Sequence, residues 1–223
     1  MGRAKYTEEK RHDIILQFLS CTRRVIEQEG IEQVSIRRIA RCAGFAATTL
    51  YMYFQDADEM LTLASMSYLE QCYHDLLNEL PELRTPYEIY RQSWRVYARH
   101  AFTNPQIFYH LLFHPHTRPM RDTIARYYDE IYPGLPAATD ETVCKMMLDG
   151  NLRGHKLRIL RPLAQSCGME EPEIRLLGDV TDSYFKMLLE ERCAGQSDPE
   201  TQTERMLTLV EYLLKHRFVS HTN

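Results

Sequence analysis

Apolar residues recur at steps of three and four along almost the whole chain, and most glycines, prolines and capping residues fall between those periodic stretches. From Thr7 to Glu29 the stripe is Ile15, Phe18, Leu19, Thr22, Val25 and Ile26, and Gly30 ends it. Ser35 is placed to cap a short helix over 36–43, Gly44 to stop it, and a third short helix fits 46–53. Asp56 with Glu59 makes a D-x-x-E start for a long helix running to Pro81, and Thr85-Pro86 with Glu88 makes another. Asn104-Pro105, the region of Pro119, Pro172 and Asp198-Pro199 open further helices. Pro133-Gly134-Leu135-Pro136 is a break, and Gly150, Gly154 and Pro162 interrupt the helical pattern of 140–167. No alternating strand pattern with hairpin turns occurs. The expected fold is all-α, with about nine helices.

Composition narrows the class. With 44% apolar and 26% charged residues, the 223-residue chain can fill a core and is not disordered as a whole. No apolar run approaches the roughly 18 residues of a membrane span. The opening MGRAKYTEEKRHD is charged and lacks the apolar segment of a secretory signal, so the expected compartment is the cytoplasm. Six cysteines at 21, 42, 72, 144, 167 and 193 contain no C-x-x-C pair and read as small hydrophobes, with a redox sensor as the alternative. Charge is uneven. Through Phe54 nine Lys/Arg face six acids, whereas the remainder holds 18 basic against 25 acidic residues. A basic end on an acidic body suits contact with a polyanion at that end alone.

That basic end carries a helix-turn-helix pattern. Ile36, Ile39, Ala40 and Ala43 share one apolar face, and Ala40 is small enough for a second helix to cross closely. Gly44 supplies a left-handed turn. Arg37, Arg38 and Arg41 are left outside, free to meet phosphates. In the following AATTLYMYF, Leu50 and Phe54 anchor a short helix, and Ala47, Thr48, Thr49 and Tyr51 present small and hydroxyl groups of the kind that meet base edges and thymine methyls.

The run SIRRIARCAGFAATTLYMYFQDADEML resembles the DNA-binding domain of the tetracycline-repressor (TetR) family. It matches that pattern at Ser35, Ile39, Ala40, Ala43, Gly44, Thr49, Leu50, Tyr51, Tyr53, Phe54 and Leu61, and the resemblance covers roughly residues 8 to 65. It departs at Ala46, where the family has a serine, at Thr48 for a glycine, and at Ala57 for a lysine, the last flanked by Asp56 and Asp58. The resemblance implies that Arg37 reaches a base or phosphate and that Ser35 and Arg38 lie at the backbone. It also implies that Ala47, Thr48 and Thr49 face the groove and that Tyr51 and Tyr53 contact the DNA backbone.

Residues 87–132 are rich in aromatics, and Tyr87, Tyr90, Trp94 and Tyr97 share a helix face. Core packing accounts for most of them. The resemblance implies a ligand pocket here, for which Tyr90, Trp94, Tyr97, Phe113 and Tyr128 are the candidate lining. His100, His110, His114 and His116 lack a neighbouring carboxylate or cysteine in sequence, and no metal or other cofactor is expected. Arg153, His155, Lys156, Arg158 and Arg161 form a basic run in the acidic body. The last two helices carry broad apolar stripes, and Leu177, Tyr184, Leu188, Leu209 and Leu213 are expected at a four-helix dimer face.

Together these features give an N-terminal helix-turn-helix domain over 1–55 and a helical ligand-binding and dimerisation domain over 56–223. The expected function is a homodimeric transcriptional repressor, with a double-stranded DNA operator and a small-molecule effector as partners and no membrane. The rival expectation is a helical, metal-assisted enzyme acting on an aromatic or apolar substrate.

Overall fold

The Thr7 hydroxyl accepts the backbone N–H of Lys10 and starts the first helix, α1 (Glu8–Glu29), in the computed structural model, which describes residues 7–80, 82–83, 85–133 and 155–218. Its buried stripe is Ile14, Ile15, Phe18, Leu19, Cys21, Thr22, Val25 and Ile26, and Gly30, at φ 93°, turns the chain out of the helix. A 3-10 turn (Ile31–Gln33) leads to α2 (Ile36–Cys42) and α3 (Ala47–Leu50), then to the long α4 (Ala57–Glu79). Next come α5 (Pro86–Thr103), α6 (Pro105–Phe113) and α7 (Met120–Arg126), which runs on into a single π turn (Tyr127–Ile131). The series closes with α8 (His155–Ser166), α9 (Glu171–Cys193) and α10 (Pro199–Phe218). Ten α-helices and no strand occur among the described residues. The break at 134–136 and the stretch 140–154 lie outside them.

Sequence-encoded caps account for most boundaries. Thr85 and Glu88 exchange the reciprocal bonds of a capping box, with Pro86 in the first turn. Glu170 and Glu173 do the same for α9, and Asp198 caps α10 through the Thr201 N–H. At α4 the Asp56 carboxylate accepts the Glu59 N–H at 2.9 Å, while Glu59 reaches back to the N–H of Gln55 rather than of Asp56. Pro162 does not break α8; the helix passes through it. Proline removes one backbone bond but need not end a helix whose other side chains hold it in place, and Leu160, Leu163 and Ala164 beside it are buried.

The chain forms two compact units that are not simple halves of the sequence. The first comprises Met1–Ser67 and Pro115–Gly150, so the described part of α7 and its π turn belong with α1, α2, α3 and the start of α4. Its core gathers Phe18, Phe45, Tyr53 and Phe54, with Phe18 5.2 to 6.0 Å from the other three rings. The second unit comprises Tyr68–His114 and Asn151–Asn223. There α5 packs on α10 and α8, and α9 packs on α6, α8 and α10. Gly178 lets α8 approach α9 closely, since an added Cβ would run into Leu157.

In the second unit Asp75 accepts a hydrogen bond from His100 Nε2 at 2.8 Å and from Gln71 Nε2 at 3.0 Å, with Arg99 at 3.6 Å. Burial raises its pKa, but the bonds from His100 and Gln71 and the nearby charges outweigh burial and hold the carboxyl below the ordinary carboxylate range. A folded-state value below the unfolded one stabilises the fold above about pH 4 and is lost as the pH falls below it. Asp75→Asn is therefore expected to lower the urea midpoint at pH 7 and to change it little at pH 3. An equal loss at both values would mean that the carboxylate charge plays no part.

Candidate nucleic-acid interface

In the first unit, α2 and α3 are joined by the turn the sequence calls for. Gly44 has φ 75°, the Phe45 N–H reaches the Ala40 carbonyl at 2.8 Å, and Gln17 of α1 donates to the Ala43 carbonyl at 2.9 Å. Ile39 and Leu50 are fully buried and Ala40 nearly so; α2 packs on α1 and α3 on α2. Ser35 caps α2 by accepting the Arg38 N–H, whereas α3 begins at Ala46 with no side-chain cap.

The outer face carries most of the predicted contacts. Arg37, Arg38, Arg41, Ser35 and Thr48 are exposed, Ala47 and Thr49 half-buried, and Tyr51 is 59% exposed beside Met52 at 54%. Arg38 is engaged with Glu29 of α1, so it meets a phosphate only by leaving that partner. Arg37 and Arg41 form no ion pair among the described residues and are the available cations of this face.

Tyr53 departs from expectation. It is 4% exposed, packed on Phe18, and its hydroxyl is buried without a hydrogen-bond partner among the described residues. The reason is local: α3 ends at Leu50, three residues short of the expected end, and continues as turns. Tyr53 and Phe54 thus lie with Leu50 on the inner side. A hydroxyl buried without a partner costs stability. Tyr53→Phe is therefore expected to leave any DNA affinity unchanged and to hold or raise the melting temperature.

The acids flanking Ala57 are also engaged internally. Asp56 caps α4, and Asp58 accepts the Thr117 N–H at 3.1 Å, its hydroxyl at 3.3 Å and His116 Nδ1 at 3.3 Å. Behind them is a cluster that the sequence does not announce. Glu59, 2% exposed, accepts Arg118 Nη1 at 2.6 Å and Arg126 Nη1 at 2.9 Å through one oxygen, and the Gln55 N–H at 2.6 Å through the other. Arg126 also donates to the Tyr53 carbonyl and lies over the Phe54 ring at 5.4 Å. One guanidinium therefore joins the exit of α3, the start of α4 and α7.

In the second unit, the predicted pocket residues Tyr90, Trp94, Tyr97 and Phe113 do converge. They belong to an aromatic cluster about Phe185 of α9, with Trp94 and Tyr97 at 5.7 and 5.4 Å from its ring and Phe113 at 6.4 Å. Burial pushes Tyr90 up to about 12, although its hydroxyl bonds with Trp94 and Thr181 oppose the shift. Tyr128 does not join them. It lies buried in the first unit, edge-on to Tyr127, because the chain returns there after residue 114. His110 and His114 stack at 5.0 Å, and His100 is the Asp75 partner. Of the basic run, Arg161 pairs with Glu171 at 2.9 Å; Arg153 and the side chains of His155 and Lys156 lie outside the described residues.

On α9 and α10, Leu177, Tyr184, Leu209 and Leu213 are half-buried. Leu188 is fully buried within the chain, on the inward stripe with Thr181, Phe185 and Leu189, and is not at the surface. The outward apolar groups are instead Leu176, 65% exposed, Val180, Met187 and Tyr212. An open groove of about 830 Å3 between Tyr184, Arg205, Leu209 and Tyr212 continues that surface.

A helix-turn-helix with exposed arginines on its outer face is a build that suits DNA. Residues 18–63 match the family described as "Bacterial regulatory proteins, tetR family", so this part of the chain is similar to the DNA-binding domain of that family. The chain is 31% identical over 99 residues to an uncharacterized HTH-type transcriptional regulator of Haemophilus influenzae, a match that covers 44% of this chain and 53% of the relative. The chain thus spans about half the length of that curated relative. Among solved structures, the fold is similar to RolR in complex with resorcinol (TM-score 0.53, 18% identity, 91% of this chain and 90% of that one). It is also similar to Thermus thermophilus FadR, a TetR-family transcriptional repressor in complex with lauroyl-CoA (0.56, 14%, 88% and 92%). A putative TetR-family regulator from Syntrophomonas wolfei gives 0.56 at 15% identity, over 93% and 96%. The match favours a regulator over the metal-assisted enzyme.

Proposed function

We propose that the chain is a transcriptional repressor that binds a near-palindromic operator as a homodimer and is released or retained by a small-molecule effector. Residues 1–55 read the DNA and 56–223 carry the effector and dimer surfaces. The observation that carries this reading is the outer face of α2 and α3, where unpaired Arg37 and Arg41 flank exposed Thr48 and Tyr51. Two such faces, related by a two-fold axis, reach major grooves about 34 Å apart. Ser35, Arg37, Arg38 and Tyr51 meet the backbone or base edges; Ala47, Thr48 and Thr49 lie against the bases. The cytoplasm, where the operator is found, is the compartment.

The effector reading rests on the aromatic cluster of the second unit, Tyr90, Trp94, Tyr97 and Phe113, and on structural neighbours that hold resorcinol and lauroyl-CoA. An effector shifts DNA binding only by its differential affinity for the two conformations. The dimer reading rests on the outward apolar groups of α9 and α10, with Leu177, Tyr184, Leu209 and Leu213 around them.

Selection of bound fragments from a random DNA pool at about 0.15 M salt tests the reading, because non-specific phosphate contacts are weakened there. An enriched palindrome is expected, with Arg37→Ala binding it about tenfold or more weakly. No enrichment, or equal affinity of the Arg37→Ala protein, would defeat the assignment of the reading face. Sedimentation tests the dimer: Leu176→Lys combined with Met187→Lys is expected to halve the mass of the particle, and an unchanged mass would move the interface elsewhere.

A further inference from the structure

Cys21 is buried on α1, and Cys42, half-buried, is the last residue of α2. Arg24, one turn beyond Cys21 and exposed, directs one guanidinium nitrogen at both sulfurs. Its Nη2 is 3.6 Å from Cys21 Sγ and 2.6 Å from Cys42 Sγ. The sulfurs are therefore no farther apart than those two distances laid end to end.

The two positions are chemically unequal. Burial first, and then the neighbouring Cys42 side chain and its charge, push Cys21 up to about 11, so it stays a thiol near neutral pH. Arg24 is pushed above its ordinary value, first by its bond to Cys42 and then by the charge there. A thiolate is the nucleophilic form of cysteine, and an adjacent guanidinium favours it. The half-buried sulfur nearer the cation is thus the attacking one, and the buried thiol beside it is placed to resolve.

Cys72 and Cys167 lack this arrangement. Cys72 is fully buried, and burial drives its thiol far above the usual range. Cys167, half-buried like Cys42, has only the uncharged Ser166 hydroxyl at 3.8 Å beside it among the described residues. It is the natural internal comparison.

We propose that Cys42 and Cys21 form a peroxide-reactive thiol pair in the helix-turn-helix domain, with Arg24 holding the attacking sulfur. The oxidant is a hydroperoxide, hydrogen peroxide in its simplest form. The Cys42 thiolate attacks one peroxide oxygen; the S–O bond forms, the O–O bond breaks, and the departing hydroxide takes a proton from solvent. The Cys21 sulfur then attacks the Cys42 sulfur. The S–S bond forms, the S–O bond breaks, and the Cys21 proton leaves with the oxygen as water. Two thiols are oxidised by two electrons in all, and one hydrogen peroxide is reduced to two waters. Arg24, at the surface, swings away from both sulfurs as they join. The bond would tie α1 to the end of α2, immediately before the Ala43–Gly44 turn that sets the direction of α3.

This inference does not depend on the DNA reading, and its test uses no DNA. The reduced full-length protein is treated with hydrogen peroxide, remaining thiols are alkylated, and peptides are weighed. The wild type is expected to yield a cross-linked pair spanning Cys21 and Cys42 that dithiothreitol reverses. Cys42→Ser and Cys21→Ser are expected to lose it, and the Cys21→Ser protein to accumulate a Cys42 sulfenic acid trapped by dimedone. Arg24→Gln is expected to slow oxidation of Cys42 about tenfold, with Cys167 unchanged as the control. Circular dichroism establishes that each variant is folded, and Cys21→Ala replaces Cys21→Ser if that protein is not. A wild type without the cross-link, a Cys167 that reacts as fast as Cys42, or an Arg24→Gln protein oxidised at the wild-type rate would overturn the proposal.

Discussion

Glu59→Ala is expected to cost about 3 kcal/mol of stability, the low end for breaking a buried ion pair from one side. The carboxylate side chain is 1% exposed and takes three donors: two arginines and the Gln55 N–H. Its removal leaves Arg126, 13% exposed, without its main counter-charge, and leaves the Gln55 N–H bare at the start of α4. Glu130, at 3.2 Å from Arg126 but 66% exposed, compensates in part, which is why the upper end of the range is not expected. Glu59→Gln keeps an acceptor for Gln55 and loses only the charge, so it should fall between wild type and alanine. Urea unfolding measures both variants, and a double-mutant cycle with Arg126→Met isolates the pair. A loss under about 1 kcal/mol for Glu59→Ala would mean that water takes the place of the carboxylate without penalty.

Phe185→Ala is expected to cost about 4 kcal/mol, the range for deleting a buried phenyl ring. Phe185 is fully buried, and its ring lies 5.4 to 6.4 Å from those of Trp94, Tyr97, Phe102 and Phe113. Truncation removes a ring that all four share. Packed side chains relax only partly into such a space, and an apolar void of this kind stays dry and takes up small aromatic molecules. The variant should therefore shift the fluorescence of Trp94, the single tryptophan, and its melting temperature should rise with added benzene or phenol. Phe185→Leu, which fills most of the space, should lose less than half as much. Equal losses for the two would indicate that ring stacking rather than volume holds the cluster.

How far the sequence could be read depended on whether the cause lay nearby along the chain. Thr7, Ser35, Thr85 and Asp198 cap the helices they precede, because a cap needs only its own next three residues. The α2–α3 turn was legible for the same reason, as Gly44 and the small Ala40 act within a few residues. The inward position of Tyr53 is also written locally, since Leu50, Tyr53 and Phe54 follow three-and-four spacing and so share a face. Leu188 has a different cause. The apolar residues of α9 wrap much of the helix, and which of two adjoining stripes turns inward depends on what α6, α8 and α10 place against it. Tyr128 is near other aromatics in sequence, but nearness in sequence says nothing about a chain that crosses back to the first unit. Glu59, Arg118 and Arg126 are separated by about 60 residues and leave no local pattern at all.

That crossing has a consequence for how such a reading head can be transplanted. A chimera cut after Ser67 would carry α1, α2, α3 and the start of α4 into a new body while leaving α7 behind. It would take Glu59 without Arg118 and Arg126, and so bury a lone carboxylate next to α3. The portable piece is therefore discontinuous. An exchange of specificity between two proteins of this build succeeds when the recipient supplies a basic pair at the positions of Arg118 and Arg126, or when α7 travels with the head. Shuffling by simple end-to-end fusion is penalised here by one carboxyl group.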